Sequence, residues 1–281
     1  MRDGGHNRVM PFDGLRVLAL ESRRSVEMAT LIRKQGGDAF VAPSMREVPM
    51  ERNEPAFAFA ERLFAGAFDG MILLTGVGTR YLDQVLATRF EAGQFREALS
   101  KLIVVARGPK PMAVLREWNI PGAILVPEPN TWREILTLMQ TRTERRIAIQ
   151  EYGRESPELV EGLEAMGCTV ESVPVYQWEL PEDTGPLREA AVRLADGAFD
   201  VALFTTSIQL PHLLQMAAEA GIESQVRAQL QRMFLASIGP TTSEALRDLG
   251  FPVSFEPSHP KMGILVAECA AAYHAKQKPH A

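Results

Sequence analysis

The chain reads as an α/β protein made of two similar three-layer α/β domains with parallel sheets. Three observations carry that reading. Short apolar runs alternate with stretches of helical periodicity, the order expected of βαβ units. Strands break at Gly-Pro and pass straight into helices at two places, Gly108-Pro109 and Gly239-Pro240. The positions 108 and 239 differ by 131, and the same offset recurs through most of the chain. Such self-similarity marks an internal duplication of a β/α unit.

The first copy opens with an apolar run over 14–20, a buried strand. Val26, Ala29 and Ile32 then recur at helical spacing, and Gly36-Gly37 stops the helix. Phe40-Val41-Ala42 forms a second strand, closed by Pro43. Phe68-Asp69 leads a third apolar run to Thr75, and Val104-Val105-Ala106 enters the turn Arg107-Gly108-Pro109-Lys110. Thr131, with Glu134 three residues on, predicts a capping box at the closing helix.

The second copy restarts at 146–150. Ser156 is placed as N-cap before Pro157, since proline at the first helical position loses nothing by lacking an N–H. Leu159, Val160, Leu163 and Met166 make one apolar face, and Gly167 ends that helix at the same offset from Gly36. The run 199–206 repeats 68–75, and Leu246-Arg247-Asp248 with Phe251-Pro252 repeats Leu115-Arg116-Glu117 with Ile120-Pro121. The strand 234–238 breaks at Gly239-Pro240, where Thr241 and Glu244 have capping-box spacing. The second copy is expected to lose a few residues before Phe255-Glu256-Pro257, the counterpart of Val126-Pro127-Glu128-Pro129, and to close with a helix over 262–269.

Composition narrows the function. Hydrophobic content of 46% and charged content of 23% describe an ordinary globular protein. A net charge of −5 argues against general nucleic-acid binding. Two cysteines, Cys168 and Cys269, with no histidine at ligand spacing, point away from a disulfide scaffold or a metal centre. Residues 1–12 lack the apolar core of a signal peptide, and no run approaches a membrane helix, so a cytoplasmic protein is expected.

Polar groups collect in the loops after the strands, where open α/β sheets bind ligands. Arg23, Thr75, Gly76, Gly78, Thr79, Arg80, Arg107, Lys110, Thr205, Thr206, Ser207, Gly239, Thr241, Thr242 and Lys261 are the candidate substrate-binding residues. Helix starts offer free N–H groups and partial positive charge, which suit carboxylates or phosphates. The same Thr, Ser and Gly residues can also serve as helix caps alone. Two facing copies would set these loops around one cleft. Gly76-Val77-Gly78 is not continued by a glycine at Tyr81, and neither a Walker sequence nor a Gly-x-Ser-x-Gly elbow occurs, so no cofactor is expected. The five histidines are scattered, with His259 the one in a suggestive loop. Glu128 and Glu256 are paired by the repeat, and Tyr176 stands where the first copy has Met45. A phenol there can pack, or can donate a proton.

Taken together, these stretches resemble uroporphyrinogen-III synthases. The resemblance rests on the strand 16–19 with Arg23, Pro43 to Pro49, Phe68-Asp69, Gly108-Pro109-Lys110, Val175-Tyr176 and Phe204-Thr205-Thr206-Ser207. Most telling is Ile238-Gly239-Pro240-Thr241-Thr242 with Ala245-Leu246 and Gly250, and the match spans roughly 14–272. It implies two flavodoxin-like domains joined by a two-stranded β linker with a cleft between them. Residues 1–43 plus 180–281 would form one domain and 49–172 the other, with 43–49 and 173–181 as linker strands. Glu21-Ser22-Arg23, Thr205-Thr206-Ser207-Ile208 and Trp178 depart from the family's commoner residues. They resemble a subgroup that can carry a regulatory winged-helix domain, which is not expected after Tyr273.

The implied reaction is that of a cyclising carbon–oxygen lyase. Linear hydroxymethylbilane closes to uroporphyrinogen III with loss of water and inversion of ring D through a spirocyclic intermediate. Such catalysis works by orientation and electrostatics. Tyr176 is the residue to which the resemblance gives help with hydroxyl departure. The implied partners are the bilane substrate and the deaminase that forms it, with no nucleic acid, no membrane and a monomeric state. A non-catalytic tetrapyrrole-binding or sensor protein with the same fold is the alternative. A generic two-domain binder would explain the duplication but not the order of the motifs.

Overall fold

The computed structural model describes residues 12–49, 53–151, 153 and 155–277; the N-terminal stretch read as lacking a signal peptide lies, except for Phe12, outside them. The chain divides into two units, residues 1–46 with 180–281, and residues 47–179.

In chain order the elements are β1 (Arg16–Ala19), α1 (Ser25–Lys34), β2 (Asp38–Val41), β3 (Arg46–Pro49), α2 (Glu54–Phe64), β4 (Gly70–Leu73), α3 (Gly76–Leu86) and α4 (Gln94–Leu99). There follow β5 (Ile103–Ala106), α5 (Pro109–Glu117), β6 (Ile124–Leu125), α6 (Trp132–Met139), β7 (Arg146–Gln150), α7 (Pro157–Ala165), β8 (Thr169–Val173) and β9 (Tyr176–Glu179). The chain ends with α8 (Gly185–Ala195), β10 (Val201–Phe204), α9 (Gln209–Glu219), α10 (Glu223–Leu230), β11 (Phe234–Ser237), α11 (Pro240–Asp248) and α12 (Met262–Gln277).

One unit carries a sheet in the order β11-β10-β1-β2, and the other a sheet in the order β6-β5-β4-β7-β8. Both pair in parallel throughout. A separate two-stranded sheet joins β3 to β9. Side chains alternate along a strand, so a sheet buried on both faces needs apolar residues at every position. Leu18, Ala202, Phe204 and Leu235 pack with Leu187, Leu213 and Phe251 on one face. Val17, Ala19, Val201 and Leu203 pack with Met28, Ile32, Leu265 and Cys269 on the other. Each fully buried Leu, Ile or Phe stabilises by about 1.5–3 kcal/mol. In the second unit α6 packs on α7, while α2, α3, α4 and α5 pack among themselves around the sheet. Among the described residues no helix is long and apolar enough to cross a membrane.

The duplication is present in the register. Gly70 pairs with Ile103 and Val201 with Phe234, so β4/β5 and β10/β11 are related by the same offset of 131. The first strands differ by one: Gly70 pairs with Ile147 but Val201 with Val17, which relates β7 to β1 by 130. Gly36 and Gly167 end α1 and α7 at φ 83° and 81°, the left-handed region that ends helices.

Three local readings are corrected, and one at Ser156 is refined. Val26 is 80% exposed, and α1 instead buries Met28 and Ile32, one turn apart on the neighbouring stripe. Ser156 is the N-cap of α7 and Pro157 its first residue, as expected, although the Ser156 hydroxyl makes no cap bond and donates to Glu151 Oε2 at 3.1 Å instead. At α11 the N-cap is Gly239 and Pro240 is the first helical residue, which leaves Thr241 inside the helix and forms no capping box. Phe255 bridges to Ala236 as Ile124 pairs with Val105, so the offset of 131 persists there, no residues are lost before Phe255, and Glu256 is not the counterpart of Glu128. The capping box of Thr131 with Glu134 does form, with both bonds present. The last helix runs on to Gln277, beyond the expected 269.

Candidate active site

In the 47–179 unit the candidate residues converge on the first turn of α3. Thr75 follows β4 in extended conformation (φ −143°, ψ 147°) and caps the helix: Gly78 N–H donates to its Oγ1 at 3.0 Å. The Thr75 N–H donates to Gln150 Oε1 at 3.2 Å. Thr79 is fully buried, and its hydroxyl turns back to the Thr75 carbonyl at 2.7 Å. A Cβ on Gly76 would stand 2.8 Å from the Lys110 carbonyl oxygen, so glycine lets the starts of α3 and α5 approach. The Lys110 side chain is exposed and Arg107 is half-buried. Arg80 pairs with Glu117 at 2.5 Å, which holds its guanidinium against α5.

Tyr176 belongs to the same centre. The residue is 3% exposed, its ring lies 6.0 Å from that of Tyr81, and its hydroxyl is 3.3 Å from Thr75 Oγ1. Either hydroxyl can donate in that contact. The phenol is thus shielded from bulk water, which strengthens a hydrogen bond made there.

In the other unit the equivalent strand ends are also held by hydrogen bonds. Thr205 donates its hydroxyl to Glu21 Oε2 at 2.5 Å, and Glu21 Oε1 accepts the Arg24 N–H at 3.1 Å. Gln209, fully buried, accepts the N–H of Thr205 at 2.7 Å and of Thr206 at 3.2 Å, and donates to the Leu20 carbonyl at 2.9 Å. Ser207, Gly239 and Thr242 are buried, Thr206 and Thr241 half-buried, and Arg23 and Lys261 exposed. Ser243 donates to Glu256, an exposed residue after β11, and bonds to Ser237.

Among the buried polar residues that sequence reasoning missed are Gln150, Gln209, Glu151 and His212. Gln150 and Gln209 are the amides just described. Glu151 is 3% exposed and accepts the hydroxyls of Ser156 at 3.1 Å and Ser172 at 2.9 Å; burial raises its pKa above the ordinary carboxyl value. His212 sits 2.7 Å from the Ser44 carbonyl through Nδ1, and burial lowers its pKa. The neutral ring therefore carries its proton on Nδ1. His259, the histidine singled out by its loop, is exposed and bonds to Ser258.

The sequence profile of the family described as Uroporphyrinogen-III synthase HemD matches residues 26–267. The chain belongs to the uroporphyrinogen-III synthase family. A Methanothermobacter thermautotrophicus protein provisionally named a uroporphyrinogen-III synthase is 30% identical over 229 residues, 81% of this chain and 86% of that protein. The uncharacterised Bacillus subtilis protein YjjA is 28% identical over 271 residues, 94% of this chain and 98% of that protein. A mutant uroporphyrinogen III synthase from Thermus thermophilus superposes with a TM-score of 0.70 at 22% identity, covering 93% of this chain and all of that one. The wild-type Thermus enzyme in a second crystal form gives 0.55 at 24%, covering 94% and 99%. At these identities the likeness shows a shared two-domain α/β fold. In this uroporphyrinogen-III synthase family member, the tyrosine singled out from the sequence, Tyr176, stands against the capped start of α3.

Proposed function

We propose that this chain is an active uroporphyrinogen-III synthase, a lyase that cyclises hydroxymethylbilane with loss of water and ring-D inversion through a spirocyclic intermediate. The observation that carries the reading is the Tyr176 hydroxyl at 3.3 Å from Thr75 Oγ1, beside the N-terminal turn of α3. Departure of the substrate hydroxyl as water needs one proton, and the phenol is the group we assign to give it. Within the 47–179 unit, on this reading, the N–H groups that open α3 and α5 offer the substrate carboxylates a place to bind. Arg107 and Lys110 add positive charge at those helix starts, and Arg23 and Lys261 carry it at the strand ends of the other unit.

The domain limits 1–43 plus 180–281 and 49–172, with linker strands 43–49 and 173–181, belong to the same proposal. So do a monomeric state, a cytoplasmic location and hand-over of substrate from the bilane-forming deaminase. A second reading, tetrapyrrole binding without turnover, draws on the burial of Tyr176 and on the internal use of the Thr79 and Thr205 hydroxyls. Incubation with freshly generated hydroxymethylbilane, followed by isomer separation, discriminates the two. Excess type III product supports the synthase; tight binding with only the type I isomer supports the binder.

A further inference from the structure

We propose that Gln150 is a positioning residue for Tyr176, acting through Thr75, and that its carboxamide does in one unit what Gln209 does in the other. The proposal rests on the role given to Tyr176 above. Gln150 is fully buried at the end of β7. Its Oε1 accepts the Thr75 N–H at 3.2 Å and its Nε2 donates to the Glu151 carbonyl. Thr75 is thereby tied at its N–H by Gln150 and at its hydroxyl by Gly78 and Tyr176. Loss of the amide would leave a covered N–H without its acceptor and free the residue that faces the phenol.

The duplication supplies an independent observation. Gln209 accepts the N–H of Thr206, the counterpart of Thr75 at the offset of 131, and Gln209 itself is the counterpart of Gly78. The same backbone N–H therefore meets a buried carboxamide in both units, reached from a helix in one and from a strand in the other. A Cβ on Gly78 would collide with the Gln150 carboxamide and stand 2.8 Å from Thr75 Oγ1, so Gln150 fills most of the room that a side chain at position 78 would need, and the Thr75 hydroxyl must yield the rest. By the offset of 130 that relates β1 to β7, the counterpart of Gln150 is the buried apolar Leu20. Gly78 with Gln150 and Gln209 with Leu20 are two solutions of one requirement.

The test exchanges one solution for the other. Three variants are compared with the native chain: Gln150→Leu, the swap Gly78→Gln/Gln150→Leu, and Tyr176→Phe. Tyrosine is labelled with carbon-13 at Cζ, and the Tyr176 signal among the four tyrosines is assigned by its loss in Tyr176→Phe. Gln150→Leu should displace that signal, and the swap should return it to the native position. With hydroxymethylbilane, Gln150→Leu should lower kcat by about tenfold with KM within about twofold, and the swap should recover most of it. In the Tyr176→Phe background the same change should cost less than about twofold, because the group it positions is gone. An unmoved Tyr176 signal in Gln150→Leu, or an equal kcat loss in both backgrounds, overturns the proposal. Should Gln150→Leu not fold, a swap that folds with the native signal supports it, and a swap that does not overturns it. A native chain without turnover contradicts the synthase reading alone, and the carbon-13 signals still decide this one.

Discussion

Glu151 shows what a single buried group does to stability. Its carboxyl, 3% exposed between two serine hydroxyls, has a raised pKa because burial disfavours the charged form. Above the ordinary glutamate value of about 4.3, the folded chain then holds a proton that the unfolded chain has released. Its stabilising contribution is present below that value and is lost as pH rises through the folded pKa. Glu151→Gln keeps the shape and removes the charge. Thermal melts should show it near neutral in effect at pH 4 and increasingly stabilised toward pH 8; the opposite slope would contradict the assignment. Gly76 makes a second residue-scale case. A Cβ there meets the Lys110 backbone at 2.8 Å, whereas a Cβ on Gly263 in α12 meets nothing within 4 Å. Gly76→Ala should destabilise by about 1–3 kcal/mol and Gly263→Ala should stabilise by about 0.5–1 kcal/mol, read by denaturant unfolding. Residues of this kind were only partly legible beforehand. The Gly-Pro turns announce themselves because backbone geometry is local. Gln150 does not, since its partner Thr75 lies 75 positions away and the bond exists only once β7 stands beside β4.

At the scale of elements, each unit is fastened by the same anchor. Asp69 accepts the backbone N–H groups of Arg145 and Arg146 at 3.2 and 3.0 Å and pairs with the Arg146 guanidinium at 2.5 Å. Asp200 accepts the Arg16 N–H at 2.8 Å and pairs with its guanidinium at 2.8 Å. In both, hydrogen bonds from the arginine hold the carboxyl below its usual pKa. Such a contribution is present above about pH 3.9 and fades as pH falls through the folded value. Asp69→Ala should cost about 1–2 kcal/mol and raise hydrogen exchange in β4 and β7 at pH 7. Protection of β1 and β10 should be unchanged, and loss there would contradict the separate anchoring of the units. Strand and helix positions were largely readable, because both sheets are buried on two faces and write themselves as apolar runs. The helix faces were less so: Val26-Ala29-Ile32 and Met28-Ile32 are both helical stripes, and only packing against β1 and α12 chooses the second.

For the whole molecule, duplication explains why polar strand ends recur in both units. The offset of 131 was visible in the chain; the shift by one at β1 was not, because strand register is set by pairing rather than by spacing. The function stands on whether the phenol beside Thr75 serves the ring closure. The ratio of type III to type I uroporphyrinogen formed from fresh hydroxymethylbilane tests this most directly, measured with the native chain and with Tyr176→Phe. The native chain should yield mainly type III, and Tyr176→Phe should slow that closure by about 10²-fold, so that spontaneous type I product overtakes it. A native chain that gives only type I, or a Tyr176→Phe variant with the native ratio and rate, would contradict it.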